Sequence, residues 1–229
     1  MPPVFDCRER EQMLSGMRQA RQAISRGDVI VTPTDTVYGV AADAFSPAAV
    51  QKLLDAKGRS RQQPPPVLVG STDALHALVE SVPDEVTRLV EAFWPGGLTI
   101  VLPAQPSLTW DLGETQGTVA VRQPDHPIAL ELLAETGPLA VSSANRTGEA
   151  AAIDVTSAQA MLGETVALYL DDGPVPTGVA STIVDATSLA GGRGEPAVRV
   201  LREGAISRDR LREVLGDLLE EPHEEDPSG

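Results

Sequence analysis

Apolar positions follow two rhythms along this chain, and each change of rhythm marks the edge of an element. Over residues 9–26, Met13, Met17, Ala20 and Ile24 fall on one helical stripe, and Gly27 beyond them suits the left-handed residue past a helix C-terminus. Residues 29–32, Val-Ile-Val-Thr, read as a buried strand that Pro33 ends by removing a backbone donor. Ser46-Pro47 supplies an N-cap and a first-turn proline, Val50, Leu53 and Leu54 face inward, and Gly58 stops that helix. A strand over 66–70, helices over 72–80 and 84–93, and a strand over 98–102 complete the first half. In the second half we expect a strand at 118–122, a helix at 127–136 and a strand at 138–143. A short helix at 156–162, strands at 166–170, 181–185 and 197–202, and a helix at 207–219 follow.

Alternating helices and strands predict an α/β domain, one domain over 1–206 followed by the C-terminal helix 207–219. The late strands succeed one another through the links Gly173-Pro-Val-Pro-Thr-Gly178 and Gly191-Gly-Arg-Gly194, so a mixed sheet is expected rather than a parallel one. At 229 residues and 41% hydrophobic content the chain can bury a real core. Its formal charge of −15, from 18 basic and 33 acidic residues, opposes attraction to a phosphate backbone; no strong direct nucleic-acid binding is expected, and any such contact would need a local basic patch. Five of the acids lie in 220–229, which reads as an acidic disordered tail. The lone Cys7 excludes an internal disulfide. No apolar run approaches the ~18 residues of a membrane span and the N-terminus has no leader pattern, so a cytoplasmic protein is expected.

Several clusters have residue types that can do chemistry. Val29-Ile-Val-Thr-Pro-Thr-Asp-Thr-Val-Tyr-Gly39 displays Thr34, Asp35, Thr36 and Tyr38 after a strand, where Gly39 permits the backbone to turn or to lie close against a ligand; a binding edge and an ordinary Thr/Asp turn share this pattern. Lys57 and Arg59, at a helix exit with Arg61 nearby, offer a point charge and a planar fork to one anion, or else balance Asp55 in solvent. Arg122 suits a bidentate carboxylate or a structural pair with Asp125. Trp94-Pro-Gly-Gly97 reads as a structural corner, and Asp185 suits a turn. No P-loop occurs, and Gly191-Gly-Arg-Gly194 lacks dinucleotide-fingerprint spacing. None of His76, His126 and His223 has a second ligand at metal spacing, so no protein-held metal is expected.

Taken in order, the opening run, Lys57-Gly-Arg59, Trp94-Pro-Gly-Gly-Leu-Thr99, Thr118-Val-Ala-Val-Arg122, Ser142-Ser-Ala-Asn145, Ser181-Thr-Ile-Val-Asp185 and Arg199-Val-Leu-Arg-Glu-Gly204 resemble the YrdC/Sua5 family over residues 9 to 206. The resemblance implies a single twisted, mixed sheet curved around an open substrate groove. It implies condensation of L-threonine, bicarbonate and ATP to threonylcarbamoyl-AMP and pyrophosphate, with Mg²⁺ carried on ATP. The product would pass to a tRNA threonylcarbamoyl transferase complex for modification of adenosine 37. Lys57 and Arg59 would act catalytically on phosphate. Gln63, Thr118, Ser143, Ala144, Asn145, Arg199 and Arg202 would join them on ATP, and Thr36, Arg122, Ser142 and Ser181 would hold threonine. Longer members add a C-terminal domain, for which this chain is expected to be too short. Gln63 and Leu68 stand where the family has an asparagine and a threonine-holding histidine.

Two other functions fit parts of this pattern. An RNA-binding or ribosome-assembly module would share the fold without the synthetase activity, but the acidity opposes it. A carbamoyl-phosphate enzyme of hydrogenase maturation would carry zinc-finger and acylphosphatase-like domains that are missing from these residues.

Overall fold

The computed structural model describes residues 1–191 and 195–221; the link at Gly191–Gly194 in part, and the acidic tail from 222 onward, lie outside the described residues. Ten strands among the described residues form one sheet: β1 (Val4–Asp6), β2 (Ile30–Thr32), β3 (Gly39–Asp43), β4 (Val67–Leu68), β5 (Leu98–Pro103), β6 (Thr118–Arg122), β7 (Leu139–Ser143), β8 (Tyr169–Asp171), β9 (Thr182–Asp185) and β10 (Arg199–Arg202). Their order is β1-β8-β2-β3-β7-β4-β6-β5-β9-β10, and parallel and antiparallel pairs mix as expected. Among the described residues seven α-helices accompany them: α1 (Arg10–Ser25), α2 (Pro47–Lys57), α3 (Asp73–Leu78), α4 (Asp84–Phe93), α5 (Pro127–Thr136), α6 (Val155–Leu162) and α7 (Arg208–Leu215).

The period-two alternation of strand side chains divides the core between the two faces of the sheet. Ile30, Ala41, Leu139 and Val141 face one cluster with Met17, Ala20 and Ile24 of α1 and Ile128, Leu132 and Leu133 of α5. Their neighbours Val31, Val40, Ala42 and Ala140 face the other, with Leu53 and Leu54 of α2, Val86 and Leu89 of α4, and Leu211 of α7. The helix signals read from the sequence hold: Ser46 Oγ accepts from Ala49 N–H at 3.3 Å, and Gly58 caps α2 at φ 63°.

Two strands carry too little local signal to be predicted. β1 is three residues long and exists by parallel pairing with β8. β3, Gly-Val-Ala-Ala-Asp, is a weak strand former by composition, yet it pairs on both edges, with β2 and β7, and its alanines fit beneath helices. Gly39 therefore makes a close approach and not a turn: a Cβ there would lie 2.6 Å from Val141 Cγ1. The expected helix over 207–219 is α7 followed by a 3-10 turn, divided at Gly216 with φ 57°.

Candidate functional site

The loop after β2 and residues of β3, β4, β5, β6, β7, β9 and β10 converge on a cavity of about 430 Å³. Its far side is covered by the β5–β6 connection, which contributes Leu112, Glu114, Thr115 and Gln116. Arg61 pins that connection down. Its guanidinium meets Asp111 at 2.5 Å and Gln51 at 3.2 Å, and its carbonyl accepts from Glu114 N–H at 2.8 Å. Arg61 is thus a fastener rather than a phosphate ligand.

Arg122 ends β6 and is nearly wholly buried. Nε donates to Gly96 O at 2.9 Å, Nη1 to Thr36 Oγ1 at 2.9 Å, and Nη2 to Asp35 Oδ1 at 2.5 Å. A guanidinium has five N–H groups, so two remain for a ligand. The ion-pair partner is Asp35, not Asp125, which is exposed. Sequence adjacency pointed to Asp125, whereas the chain reversal after β2 delivers Asp35. The two roles envisaged for Arg122 are therefore compatible: one side of the guanidinium is structurally paired and the group also lines the cavity. Burial pulls its pKa down and Asp35 opposes that pull. The corner at Trp94 serves this arrangement too, since the indole donates to Leu98 O at 2.7 Å and the turn presents the Gly96 carbonyl.

Arg59 and Arg202 line the same cavity, and the charge of Arg202 bears on both Arg59 and Arg122. Arg59 Nη1 donates to Ser142 Oγ at 2.8 Å, and its Nε is buried without a partner among the described residues. Arg202 donates to Ser181 O at 2.7 Å and to Ser181 Oγ at 3.2 Å. Among the described residues neither has a carboxylate partner. Burial, and for Arg59 the nearby Arg202, holds both below the usual guanidinium range. Lys57 stands behind this wall and is not on it. Its ammonium donates to Ser143 O, to Asn145 O at 2.7 Å and to Asn145 Oδ1 at 3.4 Å, tying the loop after β7 to α2. Burial first, then Arg59, pushes its pKa down to about 8.

Of the residues expected on threonine, Thr36, Arg122, Ser142 and Ser181 all line the cavity. Of those expected on ATP, Arg59, Gln63, Thr118, Ser143 and Arg202 do so. Lys57, Ala144, Asn145 and Arg199 do not; Ala144 is fully buried, and Arg199 is exposed and paired with Asp185 at 3.1 Å. Leu68 lines the cavity. Sequence reading missed Thr99, whose hydroxyl lies 2.9 Å from that of Ser181, and Pro64, Pro65 and Ile183 on the wall. The alternation of β5 did hold the signal for Thr99, a hydroxyl among buried aliphatics. Tyr38 packs as expected, its hydroxyl donating to Gly173 O at 2.6 Å. His126, beside Asp172 at 3.4 Å, has its pKa lowered by burial and stands off the wall, as does the exposed His76. No group of three His, Cys, Asp or Glu able to hold a metal occurs among the described residues, nor does a helix long and apolar enough to cross a membrane.

The family model described as "Telomere recombination" (Sua5/YciO/YrdC) matches residues 22–204. A Mycobacterium leprae protein named "Putative threonylcarbamoyl-AMP synthase" is 50% identical over 216 residues, covering 94% of this chain and 95% of that one. A Bacillus subtilis protein named "Threonylcarbamoyl-AMP synthase" is 34% identical over 87% of this chain and 56% of its own length. The structure titled "Crystal structure of P. abyssi Sua5 complexed with L-threonine" superposes with a TM-score of 0.85 at 30% identity; it covers 96% of this chain, which spans 62% of that one. Escherichia coli YciO matches with a TM-score of 0.79 at 22% identity, a likeness of fold. With the family model spanning residues 22–204 and a half-identical relative covering nearly the whole chain, this protein belongs to the Sua5/YciO/YrdC family.

Proposed function

We propose that this protein condenses L-threonine, bicarbonate and ATP into threonylcarbamoyl-AMP, releasing pyrophosphate. The observation that carries the reading is one cavity with two kinds of cation: Arg122, anchored on Asp35 with N–H groups to spare, and Arg59 with Arg202, which have no described carboxylate. A site of that composition suits a carboxylate at one end and a polyphosphate at the other. The relatives' names, and the L-threonine in the Pyrococcus abyssi structure, support the same substrates.

The threonine amine and bicarbonate yield a carbamate and water. A carbamate oxygen then bonds to the α-phosphorus as the bond from that phosphorus to the bridging oxygen breaks, and pyrophosphate leaves with the bond's electron pair. No protein nucleophile is needed; positioning and charge stabilisation carry the acceleration. Arg122 orients the amino acid through its carboxylate, while Arg59 and Arg202 meet phosphate oxygens. Lys57 acts from behind, holding the Ser143–Asn145 backbone and adding charge. Mg²⁺ would be carried on ATP and would supply charge neutralisation at its phosphates, in keeping with the ion's preference for phosphates and water; Glu114 is the acidic residue among those lining this wall. The adenylate would then go to a tRNA threonylcarbamoyl transferase complex.

The test is pyrophosphate release by the pure protein with ATP and each amino acid, with and without bicarbonate. Release should require both threonine and bicarbonate; release independent of either would reject the reading.

A further inference from the structure

Proton counting in the loop after β2 points to a positioning residue at Thr34. A hydroxyl has one proton to give and two lone pairs to receive. The Thr34 Oγ1 atom lies 2.6 Å from Val37 O, a group that only accepts, so the Thr34 proton is committed there. Thr34 Oγ1 then receives, taking the Thr36 backbone N–H at 3.2 Å. Its 3.1 Å contact with Thr36 Oγ1 can therefore have only one direction, with Thr36 as donor. Thr36 in turn accepts from Arg122 Nη1 at 2.9 Å. One lone pair of Thr36 remains, on a residue that lines the cavity.

Ser142, across the same cavity, has the opposite polarity. It accepts from Arg59 Nη1 at 2.8 Å, and its own proton is committed to no described group. It can donate toward an anion where Thr36 can only receive.

We propose that Thr34 is a positioning residue that holds Thr36 as a pure hydrogen-bond acceptor, so that the amino-acid substrate must present a donor N–H or O–H at that point. This rests on the functional reading above and extends it. A carboxylate is turned away from Thr36 and toward the free N–H groups of Arg122, and the substrate enters in one orientation. Removing the Thr34 hydroxyl frees the Thr36 proton to swing into the cavity, and the fixed polarity is lost.

Calorimetric titration tests this with L-threonine, L-2-aminobutyrate and ATP on the wild-type chain, Thr34→Val and Thr34→Ser, with melting curves alongside. Thr34→Val should weaken L-threonine about tenfold with ATP affinity unchanged, and Thr34→Ser, which keeps the hydroxyl, should restore it to within about twofold. The two amino acids identify the donor. If it is the β-hydroxyl, the preference for L-threonine over L-2-aminobutyrate collapses in Thr34→Val; if it is the amine, both weaken in parallel. Wild-type L-threonine affinity in folded Thr34→Val would overturn the proposal, as would a Thr34→Ser protein no better than Thr34→Val. Should Thr34→Val fail to fold, Thr34→Cys, a weak donor of similar size, should give an intermediate loss, and no loss would overturn the proposal. A wild-type chain that binds no L-threonine would overturn the functional reading itself, and this inference with it.

Discussion

The two cationic ends of the cavity solve the same problem in opposite ways. Around Arg122 the guanidinium is buried, paired with Asp35 and hydrogen-bonded to Thr36 and Gly96. Arg59 and Arg202 repel each other, and among the described residues they meet only hydroxyls and carbonyls and leave Arg59 Nε without a partner. The first end is charge-complete without ligand, with two Arg122 N–H groups left over. The second is incomplete among the described residues, and a polyanion bound there, as proposed above, would relieve both repulsion and an unpaired donor. A small orienting group and a highly charged one thus call for different degrees of preorganisation within one groove.

The largest effect should come from breaking the complete end. Arg122→Met leaves Asp35 without its partner at a largely buried position, and we expect a loss of about 3 kcal/mol in denaturant unfolding together with loss of threonine binding. Arg122→Lys keeps the charge but not the planar fork. Threonine affinity should fall about tenfold while ATP affinity, titrated separately, stays the same. Undiminished threonine binding in either variant would remove Arg122 from the substrate site.

Breaking the incomplete end should give the reverse signature. Arg59→Ala should cost about tenfold in turnover, about 1.4 kcal/mol of transition-state stabilisation, with little change in melting temperature because a like-charge repulsion goes with it. A folded variant with normal turnover would place Arg59 outside the chemistry.

A smaller effect sharpens the contrast through pH. The Lys57 pKa is pushed down to about 8 in the folded chain, below its ordinary value of 10.5, so its charge near Arg59 is present below pH 8 and lost above it. ATP affinity should therefore weaken as pH rises through about 8, and Lys57→Met should flatten that step. Stability has the opposite sign. Between pH 8 and 10.5 the unfolded chain holds a proton that the folded one has shed, so this group makes the fold more stable as pH rises across the window. The smallest effect is reserved for Asp125: because Arg122 pairs with Asp35, Asp125→Asn should change stability by less than about 0.5 kcal/mol and leave threonine affinity unaltered.

Local pattern was enough for the α/β class, the mixed sheet, the cap at Ser46 and the helix stops at Gly27 and Gly58, because periodicity and capping act within a few residues. The ordered motifs likewise brought Thr36, Arg59, Arg122, Ser142, Ser181 and Arg202 into consideration, and all six line the cavity. Only the tertiary structure decided which cations face it. Lys57 and Arg59 are two residues apart at one helix exit, yet one ties down the Ser143–Asn145 backbone and the other stands on the wall, since the direction of a side chain past a helix end depends on what packs there. The same holds for β3, a strand made by its neighbours on both sides, and for Asp35, brought to Arg122 across 87 residues of chain. Residue types and short-range rhythm are written in the sequence, whereas pairing between distant segments and the polarity of shared protons exist only once the chain has folded.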